Sequence, residues 1–240
     1  MRSRDLARFA SMVLIVAPLR LTLAQVGAVT AMDGEATRAP AEGNPLALKV
    51  GSQIELRDVI EVKSGSVKLT LTDQSILILS SGSQIRIDEA SFQQLDHRQF
   101  SAWLLLGAVW CNVTRALGGS DAKFEVATER AVAGVRGTVF QVDVLVGSAK
   151  EAESRVQVDE GWVAVSQRGL GPNERGNAQE ISAGEAVRVH REGMTREPAL
   201  LHRHEAFERF IQSHGERERR GEMRRLEERP RKNHEGLRHR

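Results

Sequence analysis

Nine short runs of alternating apolar and polar residues, each broken by glycine, aspartate or serine, constrain this chain more than anything else in it. They include Val67-Lys68-Leu69-Thr70-Leu71, Ser75-Ile76-Leu77-Ile78-Leu79, Gln84-Ile85-Arg86-Ile87 and Gly107-Ala108-Val109-Trp110-Cys111-Asn112-Val113. Further along come Lys123-Phe124-Glu125-Val126, Thr138-Val139-Phe140-Gln141-Val142-Asp143-Val144, Arg155-Val156-Gln157-Val158, Trp162-Val163-Ala164-Val165 and Ala186-Val187-Arg188-Val189. A period of two in valine- and isoleucine-rich runs predicts half-buried strands. Asp73-Gln74, Ser81-Gly82-Ser83, Asp159-Glu160-Gly161 and Ala183-Gly184-Glu185 supply the turns between them. Strands recurring about every ten residues predict an all-β fold, a sandwich or a roll of solenoid type, rather than an α/β fold. The stretch 88–100, with Phe92, Leu95 and Phe100, reads as an irregular or helical connection, and 169–177 as a looser loop.

The ends differ from this body. Arg2, Arg4 and Arg8 precede an apolar stretch over 9–16, and Thr22-Leu23-Ala24 places small residues where a signal peptidase reads. Residues 1–24 are expected to be a Sec-type signal peptide cleaved before Gln25, giving a periplasmic or secreted protein; an uncleaved anchor is the alternative. Pro18 and Arg20 leave the run too short to span a bilayer well. Beyond Pro198, Leu200, His204, Phe207 and Ile211 recur at helical spacing, and Pro198 suits a first helical turn. From 216 to 229 the chain is nearly all Glu and Arg, which supports a solvated helix but cannot bury a core. The expected organisation is signal 1–24, β-rich domain 25–197 and a charged helical or disordered tail 198–240.

Charge has to be located before it is interpreted. The chain of 240 residues carries 34 Lys+Arg and 32 Asp+Glu, a formal net charge of +2. Residues 1–24 contribute +3 and the last 39 contribute +4, which leaves 25–201 at −5. The folded body is mildly acidic, which removes the argument for nucleic acid. One cysteine, Cys111, excludes an intrachain disulfide framework, and its place in an alternating strand reads as small and buried rather than nucleophilic.

The run Ala131-Val132-Ala133-Gly134-Val135-Arg136-Gly137-Thr138-Val139-Phe140-Gln141-Val142 resembles the V-R-G-T-x-F-x-V signature of the FecR domain family. Flanking runs are similar to the family pattern too. They are Leu104-Leu105-Leu106-Gly107-Ala108-Val109, Phe124-Glu125-Val126-Ala127-Thr128 (with Glu129 where proline is usual), Val158-Asp159-Glu160-Gly161-Trp162-Val163 and Ile181-Ser182-Ala183-Gly184-Glu185-Ala186-Val187. The resemblance implies an all-β extracytoplasmic domain. In the type system of the family, such a protein relays occupancy of an outer-membrane ferric-citrate receptor to a cytoplasmic sigma factor. With only 24 residues ahead of the expected cleavage point, the sigma-holding region is not expected here, and the relay does not carry over.

The signature residues Val135, Arg136, Gly137, Thr138, Phe140, Gly161 and Gly184 read first as strand–turn–strand chemistry. Gly137 suits a positive φ, Thr138 a bond to the turn backbone, and Phe140 with Val142 and Val144 the core. Arg136 either pairs with a carboxylate across the turn or offers its guanidinium to an anionic partner. His202-Arg203-His204 with Glu208 and Gly215 matches half of a cupin metal motif, but on a stretch that reads as helix, so no metal is expected. Asn112-Val113-Thr114 is a formal glycosylation acceptor inside an expected strand. Trp103, Trp110 and Trp162 are expected to fill core or seam rather than line a sugar site. No catalytic motif is present, and no cofactor is expected. The expected function is an extracytoplasmic, non-catalytic binding or signalling module acting through an envelope protein. The alternative is a surface-polysaccharide or membrane-associated protein using the basic tail.

Overall fold

The computed structural model describes residues 25–92, 98–114, 122–146, 152–169 and 175–200. The expected signal, the tail from 201 onward and the histidine motif at 202–208 lie outside them.

The described residues form strands throughout, in agreement with the alternation. β1 (Gln25–Asp33), β2 (Ala36–Ala39), β3 (Leu46–Ala47), β4 (Gln53–Glu55), β5 (Val59–Val62), β6 (Ser66–Leu71), β7 (Ile76–Ser80) and β8 (Gln84–Ser91) lead to the long β9 (Gln99–Asn112). β10 (Lys123–Ala127), β11 (Ala131–Val135), β12 (Val139–Val146), β13 (Ala152–Glu160), β14 (Trp162–Arg168), β15 (Arg175–Ser182), β16 (Glu185–Val189) and β17 (Met194–Pro198) follow. The stretch 88–100 is therefore no helical connection in its described part, because β8 runs on to Ser91 and β9 takes over at Gln99. Likewise β15 absorbs the end of the loop expected over 169–177. Pro198 closes β17 opposite Glu185 rather than opening a helix; as an edge position, it has no ladder bond to lose there.

Two sheets share these strands. The first runs β4-β1-β6-β7-β9-β12-β13-β16-β17, antiparallel throughout the described pairings. The second runs β3-β2-β5-β8-β9-β10-β11-β14-β15, antiparallel except for the parallel β9–β10 pair. In both, strands pair repeatedly with their third successors, as in β2–β5, β5–β8, β9–β12, β11–β14 and β13–β16. The chain forms a hairpin in one sheet, crosses over, and forms the next hairpin in the other. The result is an open roll, not a closed barrel.

β9 belongs to both sheets, and its burial shows where it changes over. Phe100, Ala102 and Leu104 point inward in even register, whereas Val109 and Cys111 point inward in odd register. The phase breaks at Leu105 and Leu106, which are exposed, and at Gly107 with φ +78. A Cβ on Gly107 would stand 2.6 Å from the Cα of Ser83, so the crossing requires glycine both for space and for conformation. Ser83 Oγ donates to the Ala108 carbonyl at 2.8 Å and accepts from its N–H at 2.9 Å, pinning the bend.

Inward residues of both sheets join in one core, among them Ile54, Leu69, Leu77, Ile85, Phe100, Phe124, Phe140, Val156, Val163 and Val187. Each large side chain so buried contributes about 1.5–3 kcal/mol. Phe100 and Phe124 stack across the parallel pair with ring centroids 4.5 Å apart.

Candidate functional site: the signature rim

The signature occupies a crossover between the sheets. β11 ends in the second sheet at buried Val135, and β12 begins in the first at Val139. Between them stand exposed Arg136, Gly137 with φ +78, and buried Thr138. Two further crossovers lie beside this one, at Gly161 between β13 and β14 (φ +81) and at Gly184 between β15 and β16 (φ +84). All three corners turn through the left-handed conformation, which glycine adopts without the penalty a Cβ brings.

Hydrogen bonds stitch the corners into a ladder along the rim. The Val113 N–H donates to the Thr138 carbonyl at 3.0 Å, and Thr138 Oγ1 donates to the Trp162 carbonyl at 2.9 Å. Ala183 N–H reaches the Gly161 carbonyl at 3.2 Å, Gly184 N–H the Val158 carbonyl at 2.9 Å, and Ala199 N–H the Gly184 carbonyl at 3.1 Å. A Cβ on Gly161 would lie 3.2 Å from Thr138 Oγ1 and 3.3 Å from the Gly137 carbonyl oxygen, so this corner is also a close approach. At Gly184 the space is open, and only its conformation asks for glycine.

Of the residues singled out from the sequence, Val135, Thr138 and Phe140 are buried and hold the corner from within. Val142 joins them in the core, with Val144 partly buried against it. Gly137, Gly161 and Gly184 shape three successive corners, and Arg136 is the exposed side chain of the group. The structure brings 135–140 together with 161 and sets 184 next along the rim.

The same rim carries a buried ionic network that the sequence did not reveal. Arg98 Nη1 donates to Asp73 Oδ2 at 2.8 Å and to the Thr114 carbonyl at 2.7 Å. Asp73 also accepts the N–H of Ser75 at 3.0 Å and its hydroxyl at 2.9 Å, while Ser75 Oγ accepts the Thr114 N–H at 3.0 Å. The Arg98 guanidinium lies over the Phe124 ring, 5.5 Å from its centroid. This network ties the β6–β7 turn to both ends of β9.

Trp162 was the other omission. Expected in a core or seam, it keeps 43% of its surface exposed. Parity could have placed it, because Val163 and Val165 are core residues and Trp162 must point the other way. Trp110 is buried, donating its indole N–H to Asp159 Oδ2 at 3.0 Å. Trp103 lies half-buried between Arg168, 3.9 Å from the ring centroid, and Arg86 at 5.8 Å. Cys111 is wholly buried, and desolvation pushes its thiol far above the ordinary range. Among the described residues, no group of three or more His, Cys, Asp or Glu is placed to hold a metal. The rim therefore offers a shaped surface, with Trp162 and Arg136 presented by rigid corners.

No curated protein matches the chain. Two crystal structures of a candidate anti-sigma factor from Parabacteroides distasonis are similar, at 22% and 21% identity with TM-scores of 0.44 and 0.42. In each case the match covers 58% of this chain and 59% of the other, so the chain spans somewhat over half the length of the structures it resembles. Residues 58–164, which run from the start of β5 through the signature corner into β14, match the family described as FecR protein. That span, somewhat under half of the chain, is what the chain shares with the FecR family.

Proposed function

We propose that this chain is an extracytoplasmic, non-catalytic signalling module that acts by binding a protein partner at the signature rim. The observation that carries the reading is Trp162, a large aromatic side chain left 43% exposed at a corner built by the signature itself. Buried Thr138 bonds its carbonyl, and Gly161 beside it is held against the Gly137–Thr138 turn. Exposed tryptophan and arginine on a rigid support are the residue types that dominate protein interfaces. The signal-like composition of residues 1–24 supports the extracytoplasmic location. The edge strands β15 and β17, each with one neighbour among the described residues, lie beside the rim and would let a partner add a strand.

A photo-crosslinking amino acid placed at position 162 in producing cells tests this, with position 49 on the far β3–β4 loop as control. A discrete adduct from position 162, absent from position 49 and lost on Arg136→Ala at unchanged melting temperature, is the expected result. Equal labelling at both positions, or none at 162, overturns the reading. Fractionation of the same cells checks location, and a cytoplasmic protein would refute that part.

A further inference from the structure

We propose that residues 201–214 of this chain pack across the outer face of the first sheet, covering a row of side chains centred on Trp110. That row faces away from the core and runs across four strands, Ile78 on β7 opposite Trp110 on β9, opposite Gln141 on β12, opposite Gln157 on β13. Their sequence neighbours Leu77, Leu79, Val109, Cys111, Phe140, Val142, Val156 and Val158 fill the core on the other side. An outward row should be wet, as it is on the second sheet, where the Arg86 side chain is 42% exposed and Trp162 43%. Here instead Ile78 and Trp110 are each 6% exposed, Gln141 8% and Gln157 1%. Burying a tryptophan, an isoleucine and two amides on an outer sheet face requires something seated on it.

The chain itself arrives there. After β17, at the sheet edge, it turns inward over β13. Arg155 Nη2 donates to the Pro198 carbonyl at 3.0 Å, and the Leu200 N–H donates to Gln157 Oε1 at 3.4 Å. Leu200 thus stands at one end of the buried row, with 40 residues still to come. From Gln157 to Ile78 is three strand spacings of about 4.8 Å, or about 14 Å. A helix from 200 to 211 rises about 16 Å, at about 1.5 Å per residue. On that scale His204 falls over Gln141, Phe207 over Trp110 and Ile211 over Ile78. Leu200, Phe207 and Ile211 share one helical stripe with Phe210 beside it, and Gly215 ends the pattern where the row ends. The charged stretch that follows, with Met223 and Leu226 as its only large apolar residues, cannot extend the cover.

The test uses a full-length chain in which Trp103→Phe and Trp162→Phe leave Trp110 as the sole indole. Acrylamide quenching of Trp110 should be weak in that chain and rise several-fold when Phe207→Asp and Ile211→Asp are added, with the β-sheet circular dichroism retained. Protection that persists in the double aspartate chain overturns the proposal. So does protection lost on dilution of the parent, which would assign the cover to a second copy. Should the aspartate chain fail to fold, a second chain decides. With Cys111→Ser, Ile78→Cys and Ile211→Cys, mild oxidation should give an intramolecular disulfide in the monomer. A disulfide found between chains only, or none, refutes the docking.

Discussion

Removing the Arg98 guanidinium tests whether the buried network at the rim holds the roll together. The side chain of Arg98 is 1% exposed and that of Asp73 0%, so neither charge reaches water. Arg98→Met keeps the apolar stem against Phe124 but leaves the Asp73 carboxylate with Ser75 alone and takes a donor from the Thr114 carbonyl. Stranding one member of such a pair costs about 3–5 kcal/mol. At about 2–4 °C per kcal/mol for a domain of this size, that is a fall in Tm of roughly 6–20 °C. Asp73→Leu should cost a similar amount, because it strands the guanidinium. Combining Arg98→Met with Asp73→Leu removes both charges and should recover part of the loss. Urea denaturation of the four chains gives the coupling energy directly, expected at about 2 kcal/mol or more. Additivity within about 0.5 kcal/mol would refute the claim that the two charges depend on each other. A loss below about 1 kcal/mol for Arg98→Met would show that the network is wet after all.

Thr138→Val should cost about 1 kcal/mol through the lost bond to the Trp162 carbonyl, read as a lower urea midpoint. Gly65→Ala should be far worse, since a Cβ there drives into the Asp33 carbonyl at φ +71; failure to express folded protein is the expected outcome, and a near-neutral result refutes the turn geometry. The Arg188 hydrogen bond, with help from Arg155, holds the Glu197 carboxyl below its ordinary range. A depressed folded value means stability present above the unfolded pKa of about 4.3 and lost as pH falls through the folded one. Glu197→Gln should therefore flatten the acid limb of a Tm–pH profile, and an unchanged slope contradicts the pairing. Cys111 should resist thiol reagents in the native protein and react fully in denaturant, because its burial suppresses the thiolate.

The strands with clean alternation were legible in sequence, because period two is what a half-buried strand requires. β2, β3 and β4 were not, being four, two and three residues long, with Arg38, Gln53 and Glu55 among them. Leu104-Leu105-Leu106 reads as one apolar run and conceals the change of sheet, since a phase shift is invisible where every residue is leucine. The signature corner was legible as a turn, with Gly137 at positive φ and Phe140 in the core, whereas the bond of Thr138 to the Trp162 carbonyl, 24 residues on, was not. The Asp73–Arg98 pair was not, because 25 residues separate charges that only the path of β9 brings together. Trp162 was legible by parity but overridden by the habit of tryptophan to fill cores.

The repeated pairing of strands with their third successors has a consequence for size. A barrel needs a particular strand number and shear to close, so a lost hairpin opens it. An open roll needs neither. Adding or deleting a pair of hairpins, one per sheet, would shift the termini along the axis and leave every remaining layer with the neighbours it had. The extent of this molecule along that axis is then a matter of what stops it at each end, and an evolving gene could lengthen or shorten it without redesigning its interior.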